Sequence, residues 1–295
     1  MRALARAITL VERRDPAVGA LEDALRGDVN PPGVAGFTGA PGTGKSTLVD
    51  AVVAHLRKQG SRVGVIATDP NSPFTGGAIL GDRIRMQRHA LDEKVFIRSM
   101  GARGHLGGLS LATGEAIRLL GAFGFDQVIV ETVGVGQSEL EVAAVADTTV
   151  VVLTPNLGDS VQMIKAGILE IADVFAVNKA DIAGHARVVA ELRTMINMGP
   201  KGDWRPPIVT TVAIKGEGVE DLWDAVLQHR RHIEKSGLAR ELTERRLRDE
   251  TAEVAAELAR QRARQALEED PRLAERLLND GTPYRTAREI LDRKA

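Results

Sequence analysis

No cysteine occurs in the 295 residues. Disulfides, thiol nucleophiles and thiolate metal sites are therefore excluded, which fits a reducing compartment. Aromatic residues are scarce, with one tyrosine, two tryptophans and six phenylalanines, so there is no stacking platform for nucleic-acid bases. Charge of one sign is not in excess: 39 Lys and Arg stand against 40 Asp and Glu, for a net −1. No basic field draws the chain to nucleic acid or anionic lipid. Long apolar runs are missing as well. A stretch such as 150–153 is far too short to cross a bilayer. Residues 1–14 interleave Arg2, Arg6, Glu12, Arg13 and Arg14 with Leu4, Ile8, Leu10 and Val11, without the apolar core of a signal peptide. The expectation is a soluble cytoplasmic protein with neither nucleic acid nor membrane as partner. The six histidines are scattered and no pair has metal-ligand spacing. His105, the one in a glycine-rich stretch, reads as a surface-loop residue.

What is present is an alternation of short Val/Ile runs with helical patterns. Strands are expected at 33–38, 62–68, 95–98, 127–131, 148–154, 174–178 and 208–213, with helices near 45–59, 81–91, 109–123, 160–171, 184–197 and 219–234. Continuous apolar strands between amphipathic helices predict a mostly parallel sheet covered on both faces, a doubly wound α/β domain. The expected organisation is an N-terminal helical extension over 1–30, the α/β domain over 31–235 and a helical arm over 236–295. In that arm Leu238, Leu242, Leu247, Val254 and Leu258 fall at roughly helical spacing, and breaks at Pro271 and 279–283 divide it into three helices. It reads either as a solvated cap or, because a long apolar stripe needs a surface, as a dimerisation arm.

The strongest local signal is Gly39-Ala40-Pro41-Gly42-Thr43-Gly44-Lys45-Ser46-Thr47, between a strand and a helix. This is the phosphate-binding G-x-x-x-x-G-K-[ST] pattern. Its glycines let backbone N–H groups turn inward as an anion nest, and the helix N-terminus adds partial positive charge. Lys45 is expected to reach the β- and γ-phosphates, Ser46 to ligate Mg²⁺ and Thr47 to contact the α-phosphate. That motif does not choose the base. Asn178-Lys179-Ala180-Asp181 does, since it matches the guanine-reading N-K-x-D. The Asp181 carboxylate can accept both the ring N–H and the 2-amino group of guanine, whereas adenine would leave it unpaired. Lys179 would lay its stem along the base and Asn178 would hold the loop. Thr211-Val212-Ala213-Ile214-Lys215, closing the last expected strand, occupies the usual place of a loop whose backbone meets the guanine carbonyl, with Ala213, Ile214 and Lys215 the candidate contacts; a plain strand-to-loop transition fits the same residues. Nucleotide chemistry then needs acids near the metal. Glu131 ends a strand in the position of a Walker B carboxylate. Asp69, after the second strand, and Asp82 are further candidates, although Asp82 is equally suited to cap a helix. Gly134 and Gly136 permit a loop that rearranges with the γ-phosphate. No general base of defined identity is visible.

These stretches, with Asp69-Pro70-Asn71-Ser72-Pro73, Gly81-Asp82-Arg83-Ile84-Arg85-Met86, His105-Leu106-Gly107-Gly108-Leu109 and Glu131-Thr132-Val133-Gly134-Val135-Gly136-Gln137-Ser138-Glu139, closely resemble in order the MeaB/ArgK family, relatives of human MMAA among the metallochaperone-like P-loop GTPases. The resemblance covers nearly the whole chain. It implies a homodimeric GTPase, with Mg²⁺ as cofactor, that acts as chaperone of methylmalonyl-CoA mutase, gating delivery of adenosylcobalamin and protecting the mutase. It also implies that Lys45, Asp69, Asp82 and Glu131 line the GTP/Mg²⁺ site, with Lys45, Glu131 and Asp82 the catalytic set. Gly134, Gly136 and Gln137 would move with the nucleotide, and the stretch 156–165, with Asp159 and Lys165, would sense the mutase; an ordinary helix start and an exposed face are the plainer roles of those two. No cobalamin site is evident in the chain. One departure is Ile97-Arg98-Ser99-Met100, where many relatives carry Pro-Ser after Ile-Arg. Two other activities share parts of the pattern: a kinase linked to arginine/ornithine transport, and a metal-insertion GTPase, whose usual Cys or His relay this chain lacks.

Overall fold

The computed structural model describes residues 1–15, 17–25, 31–69, 87–89, 91–101, 108–132, 138–155, 168–199 and 202–292. They form two units, Met1–Leu242 and Thr243–Ala295.

The first unit is built on a seven-stranded sheet. Its strands are β1 (Gly33–Thr38), β2 (Val63–Asp69), β3 (Val95–Gly101), β4 (Gln127–Thr132), β5 (Thr148–Leu153), β6 (Val174–Asn178) and β7 (Ile208–Thr211). Their order is β3-β2-β4-β1-β5-β6-β7 and every pairing is parallel. The doubly wound α/β expectation holds. The Val/Ile runs arise because both faces of the sheet are buried, so neither parity of side chain can be polar. Ala35, Phe37, Val65, Ile129, Val150, Val152 and Ala176 point to one face. There they meet α3 (Lys45–Lys58) through Leu48, Val52 and Leu56, and α7 (Val219–Ser236) through Leu222, Trp223 and Val226. Val34, Ile66, Val128 and Val130 point the other way, onto α1 (Arg2–Arg13), α4 (Gly108–Ala122) and α5 (Ser138–Val145). A third cluster joins Val151, Leu153, Phe175 and Val177 to Val188 and Leu192 of α6 (His185–Met198).

Residues at the chain start are part of this core. In α1, Leu4 and Ile8 are wholly buried and Val11 nearly so, packed in one cluster with Leu119 and Leu120 of α4. Arg98 of β3 donates to Thr9 at 3.2 Å and to Glu12, tying the helix to the edge strand. A second helix, α2, covers Ala17–Ala24.

Several boundaries differ from the sequence reading. β3 continues to Gly101, because β2 offers it a partner at every residue from Val63 to Asp69. β7 stops at Thr211, and Ala213–Lys215 form a 3-10 turn closed by left-handed Gly216. Of the helices expected at 81–91 and 160–171, only the 3-10 turns Gln87–His89 and Ile168–Ile171 lie within the described residues.

Helix α8 runs Leu238–Glu269 and buries none of its residues. The expected single apolar stripe is absent from it. At about 3.6 residues per turn, Leu238 and Leu242 lie on the side opposite Leu247, Val254 and Leu258. In the second unit, α9 (Pro271–Asp280) starts with Asp270 accepting from the Arg272 N–H at 3.2 Å and with proline in the first turn. Leu273 of α9 and Ile290 of α10 (Pro283–Asp292) are buried, and Arg276 pairs with Glu289 between the two helices.

Candidate nucleotide site

In an open parallel sheet, ligands bind outside the C-terminal strand ends where the chain order switches direction. Here that point is β1, which lies between β4 and β5. The loop leaving β1 is Gly39–Gly44, followed by α3. Two of its glycines are required by geometry. Gly39 has φ 140°, and a Cβ there would stand 2.3 Å from the Val152 carbonyl oxygen. Gly44 has φ 85°, and its Cβ would stand 2.6 Å from Asn178 Nδ2. The second contact comes from the N-K-x-D stretch, 134 positions downstream (178 − 44). The motif glycine is what lets the base-reading loop close against the phosphate loop.

No side-chain cap bond is made at Gly44, and the first turn of α3 follows the loop directly. The Lys45 side chain turns back under that loop. Its Nζ donates to the carbonyls of Gly39 at 2.6 Å and Ala40 at 3.0 Å, and the residue is only 5% exposed. Thr43 is closed inward, its hydroxyl donating to the Ala40 carbonyl at 2.9 Å. Pro41, Gly42 and Thr47 are exposed.

Glu131 sits beside this loop because β4 is the immediate neighbour of β1, with Phe37 and Glu131 in register. The hydroxyl of Ser46 donates to its Oε1 at 2.5 Å, and the Thr68 hydroxyl donates to its backbone carbonyl at 3.1 Å. Thr38 and Thr132, at the ends of β1 and β4, share a hydroxyl contact of 3.1 Å. Asp69 is the last residue of β2, at the same edge; its side chain is not among those described. Asp82, Gly134, Gly136, Gln137, Asp159 and Lys165 fall outside the described residues.

Across β5 lies the second loop. Asn178, at the end of β6 and 2% exposed, joins three segments. Its Nδ2 donates to the Thr43 carbonyl at 3.0 Å. Its Oδ1 accepts from the Thr211 hydroxyl at 3.1 Å and from the Ala213 N–H at 3.2 Å. Lys179 follows in the left-handed region, φ 58°, an unusual conformation for a side chain of this length. Its Nζ donates to the Gly42 carbonyl at 2.8 Å. The Ala180 N–H donates to the Thr211 carbonyl at 3.0 Å, leaving the Asp181 side chain exposed at the rim. Ala213 is buried, while Ile214 and Lys215 are exposed. The structure thus brings Lys45, Ser46 and Glu131 into one cluster and ties Asn178, Lys179 and Ala213 to the phosphate loop. Thr211 opens the stretch read from sequence at the base loop, but its hydroxyl bond to Asn178 was not foreseen there.

The strong acid–base perturbation lies at the opposite, N-terminal edge. His229 of α7 is buried, its Nδ1 2.9 Å from the Thr148 hydroxyl and its ring 4.9 Å from that of Trp204. Burial, then the neighbouring His232, lowers its pKa to about 4. Arg230 donates to Gln127 Oε1 at 2.5 Å, and burial lowers its pKa too.

A phosphate loop opening into a helix, a strand-end acid on the Ser46 hydroxyl and an N-K-x-D loop bonded to that phosphate loop define a P-loop GTPase. Comparison with known proteins agrees. Residues 4–271 match the family described as methylmalonyl Co-A mutase-associated GTPase MeaB. A putative GTPase of Pyrococcus horikoshii is 45% identical over 99% of this chain and 94% of its own length. The GTPase ArgK of Escherichia coli is 41% identical over 79% of this chain and 73% of its own. A solved structure of a LAO/AO transport system kinase superposes with TM-score 0.69 at 30% identity, over 98% of this chain and 91% of that one. The chain belongs to the MeaB family, and it is a GTP hydrolase. Among the described residues, no helix is long and apolar enough to cross a membrane.

Proposed function

We propose that this GTPase is a chaperone of methylmalonyl-CoA mutase, its nucleotide cycle gating adenosylcobalamin loading and protecting the mutase from inactivation. The observation that carries this reading is the match of residues 4–271 to a family described by association with that mutase.

The site geometry supports the following division of labour. Backbone amides of 39–44 and the first turn of α3 cradle the phosphates, and the Lys45 ammonium exchanges its two loop carbonyls for β- and γ-phosphate oxygens. The convergence of the Ser46 hydroxyl and a Glu131 carboxylate oxygen within 2.5 Å suits a hard divalent cation, which takes oxygen ligands. Ser46 and Glu131 would hold Mg²⁺ directly or through water, with Asp69 and Asp82 completing the acidic side. Bound there with the nucleotide, Mg²⁺ supplies neutralisation of charge on the β- and γ-oxygens. Asp181 pairs with the guanine N–H groups, Lys179 lies along the base, and the backbone of Ala213 to Lys215 faces its carbonyl. Gly134, Gly136 and Gln137 would answer to the γ-phosphate, and Asp159 and Lys165 to the mutase. Residues 236–295 would serve as the homodimer arm, flanking a GTPase domain of 31–235 that carries the 1–30 helices on its core.

The test is a titration of the mutase into the GTPase while turnover is followed. The reading expects GTP hydrolysis to accelerate and cofactor loading to depend on GTP. A mutase without effect on turnover, and loaded equally in GDP and GTP, would remove it. A second reading, transfer of phosphate to a transport protein, draws on the likeness to the LAO/AO transport system kinase; label from γ-labelled nucleotide retained on a protein would favour it.

A further inference from the structure

We propose that Thr132, with Thr38 and Thr68, positions Glu131 for GTP hydrolysis by holding the end of β4 level with the phosphate loop. The inference rests on the reading of Glu131 as an acid of the magnesium side. Thr68 and Thr132 are register partners in the β2–β4 pairing. Thr38 and Thr132 each stand one residue beyond the Phe37–Glu131 pair of β1 and β4. The threonines therefore form a row across three neighbouring strand ends, and none of them is more than 3% exposed. Successive side chains on a strand point to opposite faces. Glu131 shares the parity of Ile129, on the α3 face, while the row shares that of Ile66 and Val130, on the α4 and α5 face. The hydroxyls thus act on β4 from the side opposite to the carboxylate.

A sheet covered on both faces favours apolar residues at such positions, and a buried hydroxyl is costly unless it is bonded. All three are bonded, and the bonds bracket Glu131. The Thr68 hydroxyl donates to the Glu131 carbonyl at 3.1 Å, and the hydroxyls of Thr38 and Thr132 share a hydrogen bond of 3.1 Å. Residue 131 is held at its carbonyl from β2, and the next residue at its side chain from β1. On the β1 side the contact ends one position before Gly39, whose carbonyl accepts from Lys45 Nζ at 2.6 Å. Glu131 in turn accepts from the Ser46 hydroxyl at 2.5 Å. A closed circuit therefore runs from Lys45 through Gly39, Thr38, Thr132 and Glu131 to Ser46, and the threonine pair is its link inside the sheet. Groups that orient a metal-side carboxylate act on metal affinity and on rate without touching the metal.

The experiment compares kcat for GTP, the Mg²⁺ needed for half-maximal rate and the denaturant midpoint in Thr38→Val, Thr132→Val, the double variant, Thr132→Ser and Thr68→Val. Thr148→Val and Glu131→Gln serve as references; Thr148 is a wholly buried threonine at the other end of the sheet, bonded to His229. Thr38→Val and Thr132→Val each leave one buried hydroxyl without its partner, so the midpoint should fall. Each, like Thr68→Val, is expected to lower kcat about tenfold and to raise the Mg²⁺ requirement. The double variant replaces both partners by apolar groups of the same shape, so its midpoint should return towards wild type while the loss in kcat and in Mg²⁺ dependence stays. Thr132→Ser keeps the hydroxyl and loses a methyl group, so the midpoint should fall while kcat stays within about twofold. Thr148→Val should lower the midpoint alone. Recovery of turnover together with stability in the double variant would show that the row serves packing only, and overturns the proposal. An Mg²⁺ requirement raised by Glu131→Gln but by none of the valine variants overturns it as well, and Thr68→Val supplies that answer where a Thr132 variant folds poorly. A Glu131→Gln protein with wild-type Mg²⁺ dependence refutes the reading of Glu131 and the inference with it.

Discussion

Replacing Asn178 by alanine should loosen the phosphate loop from the base-reading loop. The side chain is 2% exposed and makes three hydrogen bonds, to the Thr43 carbonyl, the Thr211 hydroxyl and the Ala213 N–H. Truncation leaves three buried polar groups without that partner. A buried group so deprived costs about 1–3 kcal/mol. The Thr211 hydroxyl can rotate to another acceptor, and two backbone groups are left. An expected loss of about 3 kcal/mol in unfolding free energy follows, taking the lower half of that range for each. Because the two backbone groups belong to the two loops that enclose the nucleotide, part of the loss also appears in binding. About half of it amounts to a roughly tenfold weaker GDP affinity. The assay is denaturant unfolding with and without GDP, together with displacement of a fluorescent guanine nucleotide. Thr211→Val, which removes one of the three bonds, should cost about 1 kcal/mol. An Asn178→Ala protein as stable as wild type, with GDP affinity unchanged, would refute the idea that this residue bridges the loops.

Lys45→Ala and Glu131→Gln should each lower kcat for GTP by at least about a hundredfold, read by phosphate release, since the first removes the cation that meets the phosphates and the second the carboxylate on the metal side. Leu4→Ala, which empties a wholly buried site on α1, should cost about 3 kcal/mol of stability while leaving GDP affinity unchanged; calorimetry and nucleotide titration decide. His229 has its pKa lowered to about 4, largest through burial. The folded chain therefore stays neutral there while the unfolded one takes a proton, and stability should fall as pH drops from about 6.5 towards 4. His229→Gln should flatten this segment of the curve in denaturant melts between pH 7 and pH 5.

The strands were legible because a sheet covered on both faces admits apolar residues at both parities, and runs such as Thr148–Leu153 satisfy this without reference to anything distant. The phosphate loop and N-K-x-D were legible for a related reason, since each is a contiguous stretch whose chemistry is local. What joins them was not. The Gly44–Asn178 approach and the Thr211–Asn178–Ala213 bonds link positions far apart in sequence, and only the β5-β6-β7 order brings them together. The turn at Ala213–Lys215 was hidden because Val212 and Ala213 are as apolar as a strand, while glycines at 216 and 218 close the turn after it. In α8, leucine spacing near that of a helix suggested one stripe; a nine-residue step from Leu238 to Leu247 moves to the opposite side instead. The burial of α1 was readable in principle, since Leu4, Ala7, Ile8 and Val11 share one face.

The most direct test of the central claim, that one sheet edge holds a triphosphate at the phosphate loop and reads guanine through Asp181, is a nucleotide competition series on the wild type and on Asp181→Asn. The account predicts that the wild type prefers GDP to both ADP and XDP, and that the variant loses GDP affinity while gaining XDP, because an amide can donate to the xanthine carbonyl where the carboxylate accepted from the 2-amino group. Equal affinity of the variant for GDP, or a wild type that takes ADP as readily, would contradict it.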